Sequence, residues 1–90
     1  MKEYALGDIV MSMQGRDIGT YYVIKEVVNE NYVLLVDGKT KGFNNPKKKK
    51  VKHILSQNYC ELSLKELFET KSNVQDAQIR KVLKNFKENM

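Results

Sequence analysis

The chain has 90 residues, 41% hydrophobic and 30% charged, with a net charge of +5. A chain of this size forms one small domain with at most a short appendage and leaves much of its surface in water, which argues against a deep water-excluding active site. No apolar run approaches the roughly 20 residues that cross a bilayer, the N-terminal "MKEYALGD" lacks the layout of a signal peptide, and the single Cys60 can form no internal disulfide, so a cytoplasmic protein held by packing is expected.

Ile9, Met11 and Met13 alternate with Asp8 and Ser12, broken only by Val10, which predicts a first strand with one face mostly buried. The "QGRDIG" that follows is a turn. Gly15 and Gly19 admit backbone angles that a side chain opposes, so the loop turns tightly and holds Arg16 and Asp17 outward. Thr20 to Val28, rich in Tyr, Val and Ile, predicts a longer strand. "NEN" is a polar connection, and "YVLLV" at 32 to 36 returns as the most apolar strand. Asp37 and Gly38 form a two-residue hairpin signal that sends the chain back along Lys39 to Phe43 as a fourth strand. After "NNP" at 44 to 46, a fifth strand is expected over Val51 to Leu55. Five short strands joined mainly by hairpins best avoid open edges by curling, so an SH3-like five-stranded barrel over 4 to 56 is expected, within a domain of 1 to 60.

From residue 61 the period changes. Ser63 with Glu66 matches a capping box and Leu62 with Leu67 a hydrophobic staple, which places a short helix from about residue 64. "TKSN" at 70 to 73 interrupts it. A second helix follows, with Ile79, Val82, Leu83 and Phe86 on one stripe, so 61 to 90 is a two-helix extension packed on the barrel. Arg80, Lys81, Lys84 and Lys87 fall on the outer side, where they complement the negative pole of the helix dipole.

Charge is unevenly spread. Lys39 to His53 holds seven lysines and no acid, while 61 to 90 holds six basic and five acidic side chains. In "PKKKKVKH", four consecutive lysines on a strand divide two to each face, and on a loop all four are presented; either arrangement suits phosphate, which a flexible point charge binds without reading sequence. A solubilising charge run is the plainer alternative.

Three further groups bear on the same chemistry. Arg16, aimed from the turn, has the planar fork for a phosphate or an unpaired base, whereas Asp17 offers a structural reading by pairing with Arg16 or capping the turn. Tyr21, Tyr22 and Phe43 lie near the basic segments; one of the two tyrosines faces outward on an alternating strand and is placed to stack on a base, while Tyr4 and Tyr32 are assigned to packing. His53 shares strand parity with Val51 and Leu55, so it reads as partly buried, with a phosphate contact as the alternative.

No catalytic or metal grouping is evident. A lone histidine has no second ligand at useful spacing, Cys60 lacks an orienting partner for His53, and no phosphate-cradling glycine loop or nucleophile elbow is present. No cofactor, small-molecule substrate or membrane partner is expected.

The succession "GDIV", "QGRDIG", "YYVI", "YVLLVDG" and "PKKKKVKH" resembles the KOW-motif RNA-binding family related to large-subunit ribosomal proteins of archaea and eukaryotes, in particular its small bacterial members. "AQIRKVLKNFK" is similar to their terminal helix. The obligatory glycine of the motif corresponds to Gly15, and Ile18 departs from the polar residue many relatives carry in the loop. The resemblance implies an SH3-like barrel and RNA binding, with ribosomal RNA as target and ribosomal proteins as neighbours. The residues expected to carry it are Arg16, Lys39, Lys41, Lys47, Lys48, Lys49, Lys50, Lys52, His53 and Tyr21, with Gly15 and Gly19 shaping the turn. The alternative from another class is an adaptor that offers a strand edge or groove to a translation or transcription factor.

Overall fold

A computed structural model describes residues 3–90, so Met1 and Lys2 of the N-terminal stretch lie outside the described residues. Its strands are β1 (Asp8–Ser12), β2 (Tyr21–Val27), β3 (Tyr32–Val36), β4 (Lys47–Lys50) and β5 (Ile54–Cys60), followed by helices α1 (Leu62–Glu69) and α2 (Asp76–Glu88). They form one antiparallel sheet in the order β4-β3-β2-β1-β5. The chain meanders through four strands and then returns to lay β5 beside β1. The ladder does not close on itself: β4 and β5 are its two edges.

Two breaks in register bend the sheet, one between Ile24 and Glu26 opposite β3 and one between Asp8 and Val10 opposite β5. Extra residues at such points sharpen the local twist. The bent sheet buries apolar side chains on both faces. Val10, Tyr22, Ile24, Val33, Leu35 and Ile54 form one cluster. Ile9, Val23 and Val36, at the alternate positions, meet Leu64, Phe68, Val74, Ile79 and Leu83 beneath the helices. The period of two therefore distributes β1, β2 and β3 between two cores, and this explains why these strands read as nearly continuous apolar runs.

Three sequence expectations need correction. Lys39–Phe43 is not a strand. The Asp37 carboxylate instead collects the backbone N–H groups of Lys39 and Lys41 and the Thr40 hydroxyl, at 2.8 to 2.9 Å, and this local network folds the segment into a loop. The strand that pairs with β3 is the lysine run itself, with Lys47 opposite Leu35 and Lys50 opposite Tyr32. Second, Val51–His53 is a 3-10 turn, and the last strand begins only at Ile54. Third, α1 starts at Leu62: Ser63 makes no cap and donates instead to the Glu61 carboxylate at 2.7 Å, while Leu62, the expected staple, is 69% exposed.

The helices otherwise follow their apolar stripes. Leu64 and Phe68, four residues apart, carry α1 into the core. Its end is a Schellman-type closure, with the N–H of Ser72 on the Leu67 carbonyl, that of Lys71 on the Phe68 carbonyl, and Lys71 itself left-handed at φ 57°. That closure is the interruption expected at "TKSN". Gln75 and Gln78 form the capping box that opens α2, and Ile79 and Leu83 are buried with Val82 and Phe86 packed at the margin, as the stripe predicts.

Candidate nucleic-acid interface

The β1–β2 loop is pinned at its neck by backbone bonds from Gly19 to Ser12 and from Ser12 to Thr20, at 2.8 and 2.9 Å. Gly15 and Gly19 stand at φ 88° and 87°. A methyl group placed on Gly19 would meet nothing within 4 Å, so the outer side of the turn is open. Glycine is needed here for its backbone conformation, and the space left over is free for another chain to approach.

Asp17 points inward and organises the turn. Its carboxylate accepts from Ser12 Oγ at 2.7 Å and Tyr22 Oη at 2.8 Å, and it pairs with Lys47 Nζ at 2.9 Å and Lys49 Nζ at 3.1 Å. Burial opposes ionisation, but the hydrogen bonds from Lys47, Ser12, Tyr22 and Lys49 outweigh it and hold the carboxyl well below the usual carboxylate range. Burial first, and the bond to Asp17 second, push the Tyr22 phenol well above its ordinary value. Neither structural alternative for Asp17, pairing with Arg16 or serving only its own backbone, describes this hub.

The lysine run divides as a strand must. Lys47 and Lys49 share the parity that sets Leu35 and Val33 opposite them, and their stems lie toward the inner cluster. Lys49 is only 8% exposed, and its ammonium also donates to the Gln14 carbonyl at 2.7 Å. These two lysines join β4 to the β1–β2 loop and share the single Asp17 carboxylate in doing so. Lys48 and Lys50 point the other way and are exposed, Lys48 lying 4.6 Å from the centre of the Tyr32 ring. On an edge strand, outward lysines also deter pairing with a second sheet.

The 3-10 turn is stitched to the start of the loop by the Met13 N–H on the His53 carbonyl, 2.8 Å. Lys52 is exposed on it, and with Lys50 it borders a shallow hollow beside Glu30, Asn31 and Tyr32. Desolvation, together with the charges of Lys52, Lys50 and Lys49, pushes the His53 imidazole below its ordinary pKa, so it is mostly neutral at neutral pH. Arg16 is exposed at the tip of the turn. The turn, β4 and the 3-10 turn, which carry Arg16, Lys47 to Lys50, Lys52 and His53, are thus neighbours, with Lys47 and Lys49 facing the turn and Lys48 and Lys50 facing away from it.

Lys39, Lys41 and Tyr21 lie elsewhere. The Lys41 carbonyl closes the 37–41 loop by accepting from Asp37 and Gly38. This loop rests on the start of α2, where the Phe43 N–H donates to Asp76 at 2.8 Å and the Arg80 guanidinium donates to the Gly38 carbonyl. Tyr21 is half-buried under α2, its ring 5.8 Å from that of Phe86 in an edge-on arrangement. Phe43 packs on Phe68, and the Lys25 ammonium lies over its ring, 4.0 Å from the centre. The exposed Lys39 borders an open groove of about 870 Å³ shared with Arg80, Lys81, Lys84 and Lys87 of α2. Their spacing of i, i+1, i+4 and i+7 on one helix face was the sequence signal for this second basic surface.

The Cys60 thiol donates to the Leu6 carbonyl at 3.5 Å and is pushed up by burial, which leaves it a poor nucleophile. Among the described residues no group of three or more His, Cys, Asp or Glu side chains is placed to hold a metal, and no helix is long and apolar enough to cross a membrane. No protein-family model matches the chain, and no curated protein sequence matches it.

Proposed function

We propose that this chain is a non-enzymatic, cytoplasmic RNA-binding protein of the KOW type, with ribosomal RNA its leading target, and that its bent sheet is an SH3-like barrel left open at one seam. The barrel reading is supported by β5 returning beside β1, by the 3-10 turn between β4 and β5, and by the apolar cluster enclosed within the curl. The RNA reading rests on the resemblance of the motifs and on one observation of geometry. Arg16 is exposed at the tip of a glycine turn whose outer side is empty, and Lys48, Lys50 and Lys52 are exposed on the neighbouring edge strand and 3-10 turn.

Such a surface meets phosphates rather than base edges. Flexible ammonium groups give affinity through counterion release, and the shape of folded RNA then selects the site. Lys47 and Lys49 contribute mainly by holding the turn against β4. Replacing Arg16, Lys48, Lys50 and Lys52 with glutamate leaves the Asp17 hub intact and is expected to weaken binding of a ribosomal RNA fragment by roughly tenfold or more at physiological salt. Fluorescence anisotropy across a salt series checks this. A wild-type protein that ignores RNA even in dilute buffer overturns the reading, and binding indifferent to salt favours the adaptor instead.

A further inference from the structure

We propose that the groove between the 37–41 loop and the outer face of α2 is a second phosphate-binding surface, which takes RNA backbone continuing from the β1–β2 turn; this rests on the RNA reading above. The groove is bordered by five cations, Lys39, Arg80, Lys81, Lys84 and Lys87, against two carboxylates, Asp37 and Glu88. Asp37 is already engaged by three donors of its own loop. The ion pairs among the described residues are both made by Asp17, with Lys47 and Lys49. Two of the four lysines at 47–50 therefore share one carboxylate, while the five cations of the groove have no carboxylate partner among the described residues.

The helix dipole does not account for this arrangement. Its influence falls off within the last turn, which explains Lys87 but not Arg80 and Lys81, which lie in the first half of α2. Like charges three and four residues apart, as in Lys81 with Lys84, Arg80 with Lys84, and Lys84 with Lys87, oppose helix formation. A polyanion laid along the face removes that repulsion. Thr20 and Tyr21, which follow Gly19 directly, also border the groove, and Lys87 lies 5.8 Å from the Tyr21 ring, so the groove begins at the strand that leaves the turn. An anionic membrane is a poorer occupant, because Ile79 and Leu83, the apolar residues an interfacial helix inserts, are buried against the sheet.

The test uses the full chain and a labelled RNA hairpin with a single-stranded tail. Lys81→Glu, Lys84→Glu and Lys87→Glu are combined, and Arg80 is spared because it anchors the 37–41 loop. The expected result is a loss of roughly tenfold or more in affinity, with the slope of log affinity against log salt shallower by about 2. The triple glutamine variant, milder to the fold, should shift the slope in the same direction, and circular dichroism should match the wild type in both. Wild-type affinity and slope in both folded variants overturn the inference while leaving the RNA reading standing, provided that the Arg16, Lys48, Lys50 and Lys52 variant has lost binding. A wild-type chain that does not bind the hairpin overturns both. Binding to phosphatidylserine vesicles but not to RNA assigns the groove to lipid and overturns it as well.

Discussion

Asp17 shows how one carboxylate sets the use of two lysines. Ser12, Tyr22, Lys47 and Lys49 converge on it from β1, β2 and β4, so it ties three strands at the mouth of the inner cluster. Asp17→Asn removes the charge while keeping the shape. The Lys49 ammonium, whose side chain is 9% exposed, is then left with the Gln14 carbonyl as its chief partner, and a loss of about 2 kcal/mol is expected. The pH dependence has a definite sign. Because the folded carboxyl titrates below its unfolded value of about 3.9, its contribution is complete above that value and is lost as pH falls further. Urea midpoints of wild type and variant should therefore differ most at neutral pH and draw steadily closer as pH falls below about 3.9; a gap as wide at about pH 2 as at neutral pH removes the ionic lock from the explanation. The sequence disclosed the turn but not this lock. Lys47 and Lys49 are 30 and more residues from Asp17, and only the β3–β4 register brings them to it.

The 37–45 loop carries the corresponding lesson for an element. "DG" marked a reversal correctly, but the hairpin expected from it would leave the Asp37 carboxylate idle, whereas the observed loop satisfies it three times over. The strand consequently moved to the lysines, which composition alone does not favour as strand formers but which fit an edge. The helices were more legible, because a stripe at helical spacing can be buried in only one way. Their starting residues depended on side-chain contacts that spacing does not resolve. Two glycines separate conformation from packing. At Gly38, φ is 74° and a methyl group would press on the Asp76 carbonyl and the Arg80 backbone; at Gly19, φ is 87° and the space is empty. Gly19→Ala is expected to cost about 1 kcal/mol through backbone strain alone, and Gly38→Ala more than about 2 kcal/mol because α2 must also give way. Equal losses in denaturant titrations would refute the tight seating of this loop on α2.

Across the whole molecule, the feature that matters is one sheet with two buried faces. Tyr22 and Ile24 turn to the inner cluster and Val23 to the helices, so neither core is complete without β2. The sequence divides readily at residue 60 into a barrel and an extension, yet the physical dependence runs across that line. Removing 61–90 would uncover Ile9, Val23 and Val36, all fully buried, together with the margin formed by Leu6, Tyr21 and Phe43. At about 1.5–3 kcal/mol for each large apolar side chain returned to water, the three core residues alone approach the stability of a small domain, about 5–15 kcal/mol in total. A 60-residue remnant also buries a smaller share of its surface to begin with. Residues 1–60 alone are therefore expected to lack a cooperative melt or to associate through the uncovered face, as thermal circular dichroism and size-exclusion chromatography would show. A monomer of 1–60 that melts sharply would mean that the inner cluster suffices and that α1 and α2 are appended to a finished fold. The expected outcome instead makes α2 an integral wall of the domain, fixed rigidly enough to hold its row of cations at a set distance from the β1–β2 turn.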